Sequence, residues 1–122
     1  GFLYFDGTWR EFGESMQAVV DSDDPGALPY VAVRFRARSA NAVIRPEGEE
    51  PFDVELLLHD GPLPEALAGD DVVYDEQGRS ILVVDGPRMY NLVRNGPPEE
   101  LELRLVPESS AFNLYTFAFS PH

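Results

Sequence analysis

The sequence contains no cysteine and no lysine. Without cysteine there is no disulfide, no thiol nucleophile and no thiolate ligand for a metal, so the fold rests on its apolar core alone. A chain of 122 residues can manage this, because folding at that length buries roughly two-thirds of the unfolded surface. Without lysine, Schiff-base chemistry is excluded and every one of the nine basic residues is an arginine. Positive charge is scarce altogether: 22 acids oppose those nine bases, for a formal net charge of −13. That balance argues against nucleic acid or an anionic membrane surface as a partner. No apolar run approaches the ~20 residues that a membrane-spanning helix needs. A chain that opens on Gly1 instead of methionine reads as a processed chain or a domain cut from a longer polypeptide.

What the sequence does have is a period of two. In YVAVRFRARS, Val31, Val33, Phe35 and Ala37 alternate with Ala32, Arg34, Arg36 and Arg38, which predicts a strand with one wet face. In DVELLLHD, Val54, Leu56 and Leu58 share one face, with His59 on the other. SILVVD, LELRLV and FNLYTFAFS add three further strands; Met16, Val19 and Val20 fit a helical face, but Glu14 to Val20 also fits a strand, which the turn-like GTW and DSDDPG on either side favour. Between these runs lie DDPG, PEG, HDGP, EQG, DGPR and NGPP, all turn signals. PLPEALAG offers one helical turn at most. Short strands punctuated by proline and glycine predict an all-β antiparallel sandwich occupying residues 1–122.

Few residues suggest chemistry. The two histidines, His59 and His122, are far apart in sequence, and no G-x-S-x-G, H-E-x-x-H or phosphate-cradling glycine loop is present, so the chain does not read as an enzyme. Asp21 to Gly26 (DSDDPG) and Gly69 to Asp71 (GDD) carry hard oxygen ligands of the kind Ca²⁺ takes, but they miss the EF-hand spacing, and solvated acidic turns without metal are the expected state. The three arginines Arg34, Arg36 and Arg38 call for acidic neighbours on adjoining strands, with Asp53, Glu55 and Glu102 as candidates. Trp9 is expected to close one end of the core. In GPRMYNLVRNG, Tyr90 and Leu92 should point inward, with the tyrosine hydroxyl satisfied at a corner and Arg88 paired to an acid or a carbonyl. As a ligand site, the cluster to examine is Trp9, Arg88, Tyr90, Asn91 and Arg94, which supplies rings to stack on a sugar face and planar groups to read its hydroxyls.

The order of segments is itself informative. The G-x-W turn at Gly7 to Trp9, the strand from Phe35 to Ile44, the hairpin from Leu58 to Leu63, the turn from Gly69 to Val72, the corner from Arg88 to Val93 and the closing strand from Leu114 to Phe119 follow one another. In that order they resemble the C-terminal β-sandwich of DipZ-type and other thioredoxin-like thiol-disulfide exchange proteins. HDGPLP and YTFAF depart in detail from the family's hairpin and closing strand. The resemblance implies an antiparallel jelly-roll sandwich, carbohydrate-binding-module-like or galactose-binding-like, that is extracytoplasmic, periplasmic or at the cell surface. It would sit beside a thioredoxin-like domain of the same polypeptide, which would carry the redox cysteines. It also implies an accessory role without a cofactor, either binding a glycan or another ligand, or docking the redox domain, its substrates or a second copy.

Overall fold

The computed structural model describes residues 2–20 and 28–121. The acidic segment from Asp21 to Gly26 lies outside the described residues. Twelve strands form: β1 Phe2–Asp6, β2 Thr8–Phe12, β3 Ser15–Val19, β4 Tyr30–Phe35, β5 Ser39–Ile44, β6 Phe52–Leu58, β7 Gly61–Pro62, β8 Val72–Tyr74, β9 Ser80–Val84, β10 Arg88–Val93, β11 Leu101–Pro107 and β12 Asn113–Ser120. Among the described residues the one helical piece is a 3-10 turn at Glu65–Leu67, where PLPEALAG allows one turn and no more. All the pairings are antiparallel. The strands make two sheets, one in the order β1-β4-β11-β6-β9-β8 with β7 beside β6, the other in the order β10-β5-β12-β3-β2. The fold is therefore the antiparallel β-sandwich that the alternation predicts.

Register explains the core. Leu103 stands opposite Val33 on one side and Leu58 on the other, and Leu105 stands between Val31 and Leu56. A single inward row on β11 thus meets inward rows on both neighbours, and all of these side chains are buried. Each is worth about 1.5–3 kcal/mol of transfer free energy. From the other sheet, β5 contributes Ala40, Ala42 and Ile44, and Tyr90, Leu92, Phe112 and Leu114 complete the layer.

Four expectations need correction. The strand bearing the three arginines ends at Phe35, because the chain bends after it to reach the second sheet. Arg36 and Arg38 therefore do not share a face with Arg34. Glu102 does oppose Arg34 in register and pairs with it at 3.1 Å, whereas Asp53 and Glu55 lie on β6, separated from β4 by β11. His59 is not on a strand face: His59 and Asp60 form the tip of the β6–β7 hairpin with φ of 49° and 69°, the left-handed pair that a tight two-residue turn requires. With Tyr90 and Leu92 inward, strict alternation puts Val93 outward with Met89 and Asn91, but the β10–β5 register shifts between Asn91 and Val93 and turns Val93 inward, where it is fully buried.

The two flanks of the sandwich differ. On one, Ala68 bridges to Val93, Gly69 N–H donates to Leu92 O at 2.9 Å and Arg94 N–H donates to Leu67 O at 2.9 Å, so backbone hydrogen bonds carry across from one sheet to the other. On the opposite flank β1 and β2 leave Gly7 for different sheets. Gly7 has φ of 87°, and a Cβ there would lie 2.8 Å from Pro29 Cα, so the divergence needs glycine. Among the described residues β1 pairs only with β4, and β2 only with β3.

Candidate functional site

The corner around β10 is built by alternation. Tyr90 and Leu92 point into the core while Arg88, Met89 and Asn91 face away from it. The Tyr90 hydroxyl donates to Gly86 O at 2.6 Å, with Asp85 Oδ1 at 3.2 Å, and accepts from the Asp85 and Gly86 N–H groups at 3.1 Å each. The ring is fully buried, and the Arg88 guanidinium lies 3.9 Å from its centroid. Arg88 in turn reaches Asp71 Oδ1 at 3.0 Å, and Arg94 reaches Asp70 Oδ1 at 3.1 Å. Asn91 ties the loop to the strand twice with these groups and reaches the neighbouring strand once: its N–H donates to Asp71 Oδ2 at 2.7 Å, its Oδ1 accepts from Asp70 N–H at 2.7 Å, and its Nδ2 donates to Asn41 Oδ1 on β5 at 2.9 Å.

These partners settle what the groups are doing. Both carboxylates of the GDD turn are engaged by arginine, so this turn presents ion pairs. Burial opposes the charge on Asp71, but the hydrogen bonds from Arg88 and from Asn91 N–H, with the Arg88 charge, outweigh it and hold the carboxyl below its ordinary pKa. A carboxyl held low in the folded state adds stability above its unfolded pKa, and that stability is lost as pH falls through the folded value. Asp71→Asn is therefore expected to lower Tm at about pH 7 and to flatten its decline toward about pH 3. Thermal melts across that range check this; an unchanged acid limb would show that Asp71 contributes nothing to it.

Trp9 is elsewhere. It sits on β2, at the far edge of the five-stranded sheet from β10. Its Nε1 donates to Asp6 O at 2.8 Å, and its ring packs edge-on against Phe5 and Phe112 at 5.0 and 6.0 Å. It closes the end of the core as the sequence suggests. The five candidate residues thus divide: Arg88, Tyr90, Asn91 and Arg94 share one corner, and Trp9 stands apart from them.

Two concave features were not singled out in the sequence. On the outer face of the five-stranded sheet, Phe12 and Tyr115 border a shallow hollow of about 320 Å³ with Gln17, Arg45, Glu47 and Asn113. Both rings are exposed. Gln17 Nε2 donates to Glu47 Oε2 at 2.6 Å and to Ser110 O at 2.7 Å, which fixes that side chain. The second feature is a cleft of about 420 Å³ between the sheets on the open flank, floored by Leu114, Phe117 and Phe119 and walled by Leu3, Phe5, Val33 and Met16. Phe119 stacks on Phe35 at 5.1 Å and lies parallel to Phe117 at 6.1 Å. A register shift between Leu114 and Thr116 turns Phe117 and Phe119 toward the cleft. Among the described residues, no group of three or more His, Asp or Glu side chains is placed to hold a metal ion, and no helix is long and apolar enough to cross a membrane.

Residues 2–120 match the family model described as the thioredoxin-like C-terminal domain. The chain belongs to this family. As a thioredoxin-like C-terminal domain it is an accessory part of thioredoxin-like proteins, which accords with a sequence free of cysteine. No curated protein sequence matches it. Among solved structures, it is similar to a family two carbohydrate esterase from Clostridium thermocellum in complex with cellohexaose, with TM-score 0.69 and 13% identity over 98% of this chain and 31% of that one. It is also similar to the salicylyl-acyltransferase SsfX3 from a tetracycline biosynthetic pathway, with TM-score 0.62 and 11% identity over 98% of this chain and 37% of that one. This domain thus spans about a third of each of those structures. At such identities the likeness is one of fold.

Proposed function

We propose that this thioredoxin-like C-terminal domain is a non-catalytic, carbohydrate-binding module of an extracytoplasmic, DipZ-type thiol-disulfide exchange protein. The redox cysteines belong to a thioredoxin-like domain of the same polypeptide. The observation that carries the binding role is the outer hollow, where the exposed rings of Phe12 and Tyr115 stand beside Gln17, Arg45, Glu47 and Asn113. Rings give a flat apolar surface for the C–H face of a pyranose, and the amide, guanidinium and carboxylate groups pair with its hydroxyls. The structurally similar esterase was solved with cellohexaose, which favours a β-linked glucan as the first ligand to try.

The test is a glycan-array screen of the domain followed by titration of any hit. Phe12→Ala and Tyr115→Ala are expected to weaken binding by about tenfold or more each, equivalent to ~1.4 kcal/mol, with Tm held. Trp9→Ala and Arg88→Ala should instead lower Tm, since Trp9 closes the core and Arg88 pairs Asp71. Binding lost only in the latter two variants, or no glycan bound by a folded domain, would count against the hollow as a sugar site.

A further inference from the structure

The open flank holds a second surface, which shares only Ser15 and Tyr115 with the outer hollow. We propose that the inter-sheet cleft, together with the free edge of β1, receives an extended segment of a partner polypeptide in which apolar side chains alternate with basic ones.

Three observations carry this. First, β1 is a thinly guarded edge strand: of FLYFD only Asp6, at its end, is charged and no residue is proline, although exposed edges are normally guarded by charge or proline. Its second row of backbone N–H and C=O groups has no partner strand among the described residues. Second, the cleft beside that edge is apolar and aromatic, and Leu3 and Phe119 at its mouth are 50% and 40% exposed. A strand added along β1 would lay every second side chain over Phe117 and Phe119, as in recognition by strand addition. Third, the rim carries Glu11 and Glu14, neither of which forms an ion pair or side-chain hydrogen bond among the described residues. With a net charge of −13, the surroundings attract a basic segment and repel a second copy of the chain, which disfavours the dimer that a bare edge would otherwise invite.

The probe is a fluorescein-labelled synthetic peptide in which arginine alternates with leucine and phenylalanine, titrated into the domain by fluorescence anisotropy, with amide chemical shifts to locate it. A control peptide of equal charge carries proline at every second position and cannot extend a sheet. Saturable binding is expected, with shifts concentrated on residues 3–5 and 117–119, and about tenfold weaker binding of the proline peptide. Leu3→Lys, at a half-exposed position that the fold does not need, should weaken the alternating peptide by about tenfold or more while leaving glycan binding intact. Glu14→Gln should weaken it about threefold. Conversely, Phe12→Ala should leave the peptide unaffected, which separates this site from the outer hollow. Equal binding of both peptides, shifts on the outer sheet face, an insensitive Leu3→Lys variant, or sedimentation showing a dimer joined through β1 would each overturn the proposal.

Discussion

Replacing Gly69 with alanine is expected to remove several kcal/mol of stability, enough to lower the melting temperature by well over ten degrees in a domain of this size. A Cβ at this position would lie 2.3 Å from Asn91 O and 2.6 Å from Asn91 Oδ1. No rotation of a flexible side chain relieves the first contact, because the atom is backbone in a strand paired on its other side to β5. The loop must therefore move off β10. In doing so it would give up the Gly69 N–H bond to Leu92 O, the Asp70 N–H bond to Asn91 Oδ1 and the Asp71 carboxylate at Asn91 N–H. At ~1 kcal/mol net for each, the loss reaches about 3 kcal/mol, a large fraction of the 5–15 kcal/mol typical of a folded domain. Urea titration of the variant measures this directly. A loss under about 1 kcal/mol would show that the loop sits on β10 without needing glycine.

Tyr90→Ala should cost a comparable amount by a different route. The ring is fully enclosed and fills the core between β10 and its neighbours. Deleting a buried aromatic of this size costs about 3–5 kcal/mol once the cavity is counted. Tyr90→Phe keeps the volume and loses only the hydroxyl, which serves Asp85 and Gly86; about 1 kcal/mol is expected, and rather more if the Gly86 carbonyl finds no water in its place. The contrast between the two substitutions is the measurement: equal and negligible losses would contradict a buried structural role. Because Gly69 and Tyr90 both act on β10, the double variant should lose less than the sum of the single losses.

The physical reasons for what was and was not legible in one dimension lie in the same residues. Alternation exposed β4, β6 and β11, since each is buried on one face and a two-residue period cannot be mistaken for a helical one. It failed at Val93 and would mislead at Tyr115, because an extra residue in a strand inverts the alternation downstream of it and leaves no mark in composition. The paired roles of Arg88 and Tyr90 followed from chemistry, a long cation and a phenol in a short corner of an acidic chain. That Asp71 would be the partner did not, since the loop bearing it is brought to β10 only by backbone pairing across the sandwich. The two concave surfaces were hidden for a related reason. Phe12, Gln17 and Tyr115 come from three strands, and their neighbourhood depends on the β2–β3 turn at Gly13 and on the β12 bulge.

The order of strands within the sheets bears on how the chain can fold as it is made. The middle of the first sheet is β11, which pairs with β4 and β6, and the middle of the second is β12, which pairs with β3 and β5. These are the last two strands among the described residues. Until the segment beyond Pro98 has left the ribosome, both sheets lack their centres, and the apolar rows of β4, β5 and β6 have nothing to pack on. Contacts of such long sequence separation make folding slow, and an emerging chain with unpaired apolar strands is exposed to aggregation. The domain is thus built to fold all at once, when β11 and β12 have emerged to complete both sheets together.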